Sequence, residues 1–157
     1  SVTWKEVADF IALWDGPVVI KGLLSVEDVL RAAELGADGV ILSNHGGRQL
    51  DGAVPPLTIL PQVRRAAGDD LPIICDSGFR RGTDIIKARA LGADMVFMGR
   101  NTLYGAGAGG SEGIAHVLSI LKAEMERAMT LLGTATLSDI GPEHVCFLGA
   151  NGASVQI

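Results

Sequence analysis

The sequence holds few of the features that settle a protein's class at a glance. Its only cysteines, Cys75 and Cys146, show neither metal-ligand spacing nor a paired framework. A disulfide scaffold, a metal site and thiol redox work are therefore set aside in favour of two reduced thiols. There is no run of Lys or Arg, and the net charge is -5. Contacts to a phosphate backbone need clustered positive charge, so no nucleic acid is expected as a partner; small anions or other proteins are. No apolar stretch approaches the ~20 residues of a membrane helix, and no basic segment leading into an apolar core marks a secretory signal. A cytoplasmic location is the expectation. The chain also begins Ser1-Val2-Thr3 without an initiator methionine and opens directly into a helix signature. That pattern suits a piece of something longer, with methionine removal as the alternative.

What is present is an ordinary folding composition: 157 residues, 48% hydrophobic and 20% charged, enough for one domain with a sizeable core. Thr3 and Glu6 make a capping-box pattern, and Trp4, Val7, Ala8, Ile11 and Trp14 recur at helical spacing, predicting a helix over 4–14. Asp15-Gly16-Pro17 breaks it. Val18-Val19-Ile20 then reads as a strand buried on both faces, ending at Lys21-Gly22. Ser25 with Asp28 starts a second helix that Gly36 closes, and Gly39-Val40-Ile41-Leu42 is a second buried strand. In the segment 56–67, Pro61 cannot donate a backbone hydrogen bond, so one turn over 56–60 and a fresh start at Pro61 are expected. Leu71 to Cys75 is the third strand. Thr83 is placed to cap a helix running to Leu91, and Met95 to Met98 is the fourth strand. A glycine-rich turn over Gly105–Gly110 is expected to precede a long amphipathic helix from Ser111 to Leu132. From Gly149 onward there is little pattern, so 149–157 is expected to be a loose tail behind a domain of 1–148.

One internal repeat organises these elements. Pro17-Val18-Val19-Ile20-Lys21 followed by Leu35-Gly36-Ala37-Asp38-Gly39-Val40 is echoed by Pro72-Ile73-Ile74-Cys75-Asp76 followed by Leu91-Gly92-Ala93-Asp94-Met95-Val96. Each copy is a strand, a helix and the next strand, and such units build a parallel sheet with helices on its outer face. Four such strands fit an open sheet or half of a closed (β/α)8 barrel. The ~250 residues typical of a barrel favour the half. So do Lys21, His45, Asp76 and Arg100, all at strand C-terminal ends, where barrels keep their chemistry.

The apolar strand at Ile41-Leu42 stops at Ser43-Asn44-His45-Gly46-Gly47-Arg48-Gln49-Leu50-Asp51. A histidine titrates near neutrality and can act as a base, and an arginine three residues on can clamp a carboxylate or phosphate with two parallel hydrogen bonds. A structural histidine in a glycine turn is the alternative. Gly78 with Arg80 ends one strand and Gly99-Arg100 the next, each leading to a helix start. Glycine admits an anion to backbone N–H groups and arginine forks it, which points to phosphate; surface charge is the alternative for these arginines and Arg81. Lys21 ends an apolar strand, where a lysine is costly unless it faces a ligand or an acid, or snorkels to the rim. Asp76, in the same position on its own strand, can accept bonds from sugar or ribityl hydroxyls. His116 and His144 are expected to be solvated.

Together, Val19-Ile20-Lys21-Gly22, the Ser43–Asp51 motif, Asp76-Ser77-Gly78-Phe79-Arg80-Arg81-Gly82-Thr83-Asp84 and Gly99-Arg100 closely resemble the FMN-dependent α-hydroxy acid oxidases and dehydrogenases. That family includes glycolate oxidase, lactate oxidase, the flavin domain of flavocytochrome b2 and mandelate dehydrogenase. The resemblance runs from Trp4 to Val145, and Ser77 with Asn101-Thr102-Leu103-Tyr104-Gly105 leans toward the mandelate dehydrogenase branch. It implies an α/β chain forming strand-helix units 5–8 of a TIM barrel, with FMN as cofactor and oxidation of an (S)-2-hydroxy acid to the 2-oxo acid. By the same resemblance His45 is the base and Arg48 binds the substrate carboxylate. Lys21 lies near flavin N1 and the C2 carbonyl, Ser43 lines the flavin side, and Asp76 contacts the ribityl chain. Gly78, Arg80, Gly99 and Arg100 hold the phosphate. It further implies that four earlier units, including tyrosines for substrate and an aspartate that orients the histidine, are supplied by a second polypeptide. The assembled barrel is then expected to be a homo-oligomer, with membrane association through the other half left open. The alternative is an isolated or self-associated half barrel that binds FMN or phosphate without turnover.

Overall fold

The computed structural model describes residues 2–148 together with the strand Ser154–Val155. Helix α1 (Trp4–Leu13) starts at the expected capping box: Glu6 N donates to Thr3 Oγ1 at 3.3 Å, and Thr3 N donates to Glu6 Oε2 at 2.7 Å. Strand β1 (Val19–Leu23) leads to α2 (Val26–Glu34), where Ser25 Oγ accepts from Asp28 N at 3.1 Å. Then follow β2 (Gly39–Leu42), a short 3-10 turn at His45–Gly47, α3 (Pro56–Ala67), β3 (Ile73–Cys75), α4 (Gly82–Ala90), β4 (Met95–Val96) and α5 (Arg100–Leu132). The tail expected from 149 onward falls largely outside the described residues. Its one described piece, β6 (Ser154–Val155), pairs antiparallel with β5 (Phe147–Leu148).

The four main strands form one sheet in the order β1-β2-β3-β4, every neighbouring pair parallel. A doubly wound sheet reverses its strand order at a switch point, whereas a barrel adds each strand beside the last. The sequential order is that of half a (β/α)8 barrel. The repeat is structural as well as textual. Asp38 accepts from Val18 N at 2.7 Å and donates its own N–H to Val18 O at 2.8 Å; Asp94 accepts from Ile73 N at 2.8 Å and donates to Ile73 O at 2.8 Å. Each aspartate thus pins the start of the preceding strand.

Four local expectations are revised. Helix α3 runs unbroken through Pro61. An interior proline costs ~3 kcal/mol, but Leu60, Pro61 and Val63 are all buried, and burying Leu60 and Val63 alone returns about 3–6 kcal/mol. Helix α4 begins at Gly82, ahead of Thr83, because the Asp84 carboxylate accepts from both Arg80 N and Arg81 N at 3.0 Å. The Gly105–Gly110 segment is mostly helical: α5 starts at Arg100 and departs from helical geometry only at Gly109 and Gly110. The chain folds back there because Gly105 and Gly113 press backbone to backbone, with no room for a side chain on either.

The fourth revision concerns burial. Of the four strands of the parallel sheet only β2 is buried along its full length, over a core of Val29, Val40, Leu42, Leu60, Val63, Ile73 and Cys75. Strand β1 was expected to be covered on both faces, yet Val19 is 43% exposed, and on the other outer strand, β4, Met95 is 53% exposed. As edge strands they have a neighbour on one side only. Helix α1 likewise buries no residue, leaving Phe10, Leu13 and Trp14 bare.

Candidate functional site

Because the strands are parallel and sequential, their C-terminal ends fall along one edge of the sheet, with Lys21 opposite Ile41 and Ile41 opposite Ile74. An open cavity of about 790 Å³ lies over that edge. Lys21, His45, Arg48, Asp76, Gly78, Arg80, Gly99 and Arg100 all line it. Ser43 lies behind the wall, fully buried, with its hydroxyl accepting from Lys21 Nζ at 2.9 Å and from His45 N at 3.1 Å. All nine residues singled out in the sequence therefore belong to one place.

Lys21 reaches across two strands to form an ion pair with Asp76. Burial opposes ionisation of Asp76, but hydrogen bonds from Lys21, Ser43 and Ser77, and the charge of Lys21, hold its carboxyl below the ordinary value of 3.8. A carboxyl lowered on folding stabilises the fold above its unfolded value, and that contribution disappears as pH falls through the folded value. The acid limb of stability below pH 3.8 should therefore be shallower in Asp76→Asn, as followed by urea midpoints across pH. An unchanged slope would show that the pair carries no linkage. Cys75, beside Asp76 but beneath the sheet edge, is pushed up to about 12 by burial, with the Asp76 charge adding to the effect. Such a thiol is inert.

The turn after β2 holds the histidine in an unusual backbone. His45 has φ +57°, and Gly46 and Gly47 follow at +70° and +73°. Asn44 Oδ1 accepts from Gly46 N at 3.0 Å, which closes the turn. The imidazole packs on Gly22, itself at φ +103°, where a Cβ would stand 3.0 Å from His45 Cε1. Gly22 is a site residue that the sequence reading passed over, because the contact joins two strands.

Arg48, Arg80 and Arg100 line the cavity, and among the described residues none of them pairs with a carboxylate. Among the described residues the Arg100 side chain donates only to Gly46 O, at 3.4 Å. A Cβ placed on Gly78 or on Gly99 meets nothing within 4 Å, so both glycines border open space in front of Arg80 and the first turn of α5. Asn101 Nδ2 ties the two loops together by donating to Arg80 O at 3.2 Å. Uncompensated guanidinium groups, a helix N-terminus and room at two glycines suit a dianionic phosphate, and the cavity volume is in the range of cofactor pockets. The residues present therefore fit FMN, and Arg48 and His45 line the same cavity.

Three other side chains fall elsewhere. Arg81 is bound to Glu124 at 2.7 Å, and His116 is exposed. His144, expected to be solvated, is instead mostly covered, and its Nδ1 accepts from Gly141 N at 3.1 Å. Among the described residues no group of His, Cys, Asp and Glu is arranged to hold a metal, and no helix is long and apolar enough to cross a membrane.

Residues 1–147 match the family described as FMN-dependent dehydrogenase. The chain is 47% identical over 143 residues to an L-lactate dehydrogenase of Haemophilus influenzae, covering 91% of this chain and 38% of that protein. It superimposes with TM-score 0.87 and 46% identity on a soluble mutant of the membrane-associated (S)-mandelate dehydrogenase from Pseudomonas putida, covering 92% of this chain and 41% of that one. A mandelate oxidase variant with a monooxide FMN adduct gives TM-score 0.84 at 42% identity, covering 88% of this chain and 44% of that one. The chain thus spans about two fifths of the length of these relatives.

Proposed function

This chain belongs to the FMN-dependent dehydrogenase family, and from that premise we propose that it supplies the proton-transfer and anion-binding half of an FMN-dependent enzyme oxidising a 2-hydroxy acid to the 2-oxo acid. The observation that carries the reading is the gathering of His45, Arg48 and an uncompensated phosphate cradle around one cavity. Arg48 clamps the substrate carboxylate. His45 takes a proton as the carbinol becomes a carbonyl. Arg80, Arg100, Gly78 and Gly99 hold the phosphate, Asp76 accepts from the ribityl chain, and Lys21, steadied by Asp76 and Ser43, places a positive charge beside the flavin ring. FMN, when bound, supplies the two-electron acceptor. L-lactate and (S)-mandelate, named for the relatives, are the first substrates to try.

The exposed edges of β1 and β4 and the bare face of α1 are where a further polypeptide stretch carrying four strand-helix units completes the barrel. Among the described residues no carboxylate bonds the His45 ring, which favours a second reading for the chain alone: FMN or phosphate binding without turnover. Anaerobic titration of the assembled flavoprotein with (S)-mandelate, L-lactate and glycolate tests the first reading. Bleaching of the flavin absorption supports it; a yellow protein that none of them bleaches leaves the binding module.

A further inference from the structure

Ser77 stands where a side chain is disfavoured. Its φ is +76°, a left-handed conformation that glycine adopts freely and serine does not. Strained backbone persists where the surroundings over-determine it, and here the hydroxyl has two partners. Ser77 Oγ donates to Asp76 Oδ1 at 2.7 Å and accepts from Gly46 N at 3.0 Å.

Those two bonds complete a circuit. Asp76 pairs with Lys21, Lys21 donates to Ser43 Oγ, and Ser43 Oγ accepts from His45 N. Gly46, the next residue, donates to Ser77, which returns to Asp76. Three separate strand ends, after β1, β2 and β3, are thereby closed into one ring of hydrogen bonds. Remove Ser77 from it and Asp76 reaches the His45 turn only through Lys21 and Ser43, at His45 N; the tie at Gly46 N, on the far side of the histidine, is gone. Asn44 Oδ1 still holds Gly46 N from within the turn, but that bond cannot fix the turn relative to Asp76.

We propose that Ser77 is a positioning residue that locks the His45 turn onto the Lys21–Asp76 pair and so sets the imidazole relative to the positive end of the cavity. The proposal rests on the enzymatic reading for its kinetic consequence, though not for its structural one. A hydroxyl that holds a turn in place acts on the reacting geometry and leaves the carboxylate clamp at Arg48 alone, and small misplacements of a base are costly to rate.

Two variants separate the hydroxyl from the backbone: Ser77→Ala removes the hydroxyl and keeps the strain, while Ser77→Gly removes both. In the full assembled flavoprotein, hydrogen exchange of the peptide covering residues 43–50 should be several-fold faster in both. Flavin reduction at saturating substrate should be about tenfold slower or more in both, with the half-saturating substrate concentration changed less than about twofold. A purely structural serine predicts that Ser77→Gly exchanges and reduces like the parent or better, and that result would overturn the proposal. So would equal loss of rate and of substrate affinity. If the parent protein is not reduced by any hydroxy acid, the enzymatic reading fails. The exchange comparison then decides the positioning role by itself: faster exchange in both variants upholds it and unchanged exchange refutes it.

Discussion

Changing His45 to asparagine should lower the rate of flavin reduction by a 2-hydroxy acid about 10²- to 10⁴-fold, the usual worth of a positioned general base. Asparagine is the informative replacement because position 45 has φ +57°, a conformation that Asn tolerates better than Ala or Gln. The Gly46 and Gly47 backbone then stays where it is, and Arg100 keeps its contact with Gly46 O. FMN affinity should accordingly change little, since the cradle at Gly78, Arg80, Gly99 and Arg100 is separate from the ring. Stopped-flow reduction under anaerobic conditions measures the first quantity and fluorescence titration of FMN the second. Unchanged reduction would remove His45 from the chemistry. Loss of FMN together with rate would make it a structural residue.

A large effect on stability is expected at Gly82. A Cβ there would stand 2.6 Å from Leu121 O and from Met125 N, backbone atoms of α5 that cannot swing aside as a side-chain tip can. Helices α4 and α5 must part to admit it. Overpacking of this kind costs about 1–3 kcal/mol or more, so Gly82→Ala should lower the melting temperature by about 5 °C or more. Gly99→Ala is the matched contrast. Gly99 has φ −110°, which any residue adopts, and open space where a Cβ would go. Its melting temperature should be unchanged while FMN binding weakens about tenfold or more, the scale of one charge-assisted hydrogen bond. Calorimetry and FMN titration on the two variants together separate a glycine needed for packing from one needed for a ligand. A stable Gly82→Ala protein would show that the α4–α5 contact yields.

Much of this arrangement was legible in the chain itself. Apolar runs of strand length, each closed by a polar or glycine-rich end, located β1 to β4, and the repeat of Leu-Gly-Ala-Asp before a strand exposed their equivalence. The caps at Thr3 and Ser25 placed two helix starts because a cap is a local hydrogen bond between residues three apart. Expectations went astray where a distant contact overrode a local preference. Pro61 sits inside α3 because Leu60 and Val63 are buried there. Thr83 yields the start of α4 to Asp84, whose carboxylate serves two N–H groups. The turn over Gly105–Gly110 shrinks to two residues because Gly105 meets Gly113. Strand β1 was read as covered because an apolar run records what a residue prefers, and nothing in it records whether a neighbour is present.

The sequence by itself determined that the candidate site would lie on one edge. Parallel strands following one another in order bring their C-terminal ends together, so Lys21, His45, Asp76 and Arg100 must meet once the order is sequential. Only the tertiary structure decided which atoms bond. Lys21 finds Asp76 across 55 residues, and Ser77 finds the His45 turn across 31. Periodicity specifies a face and an edge; it does not specify a partner, because hydrogen bonds between loops depend on backbone angles such as the left-handed φ of His45 and Ser77, which packing imposes against local preference.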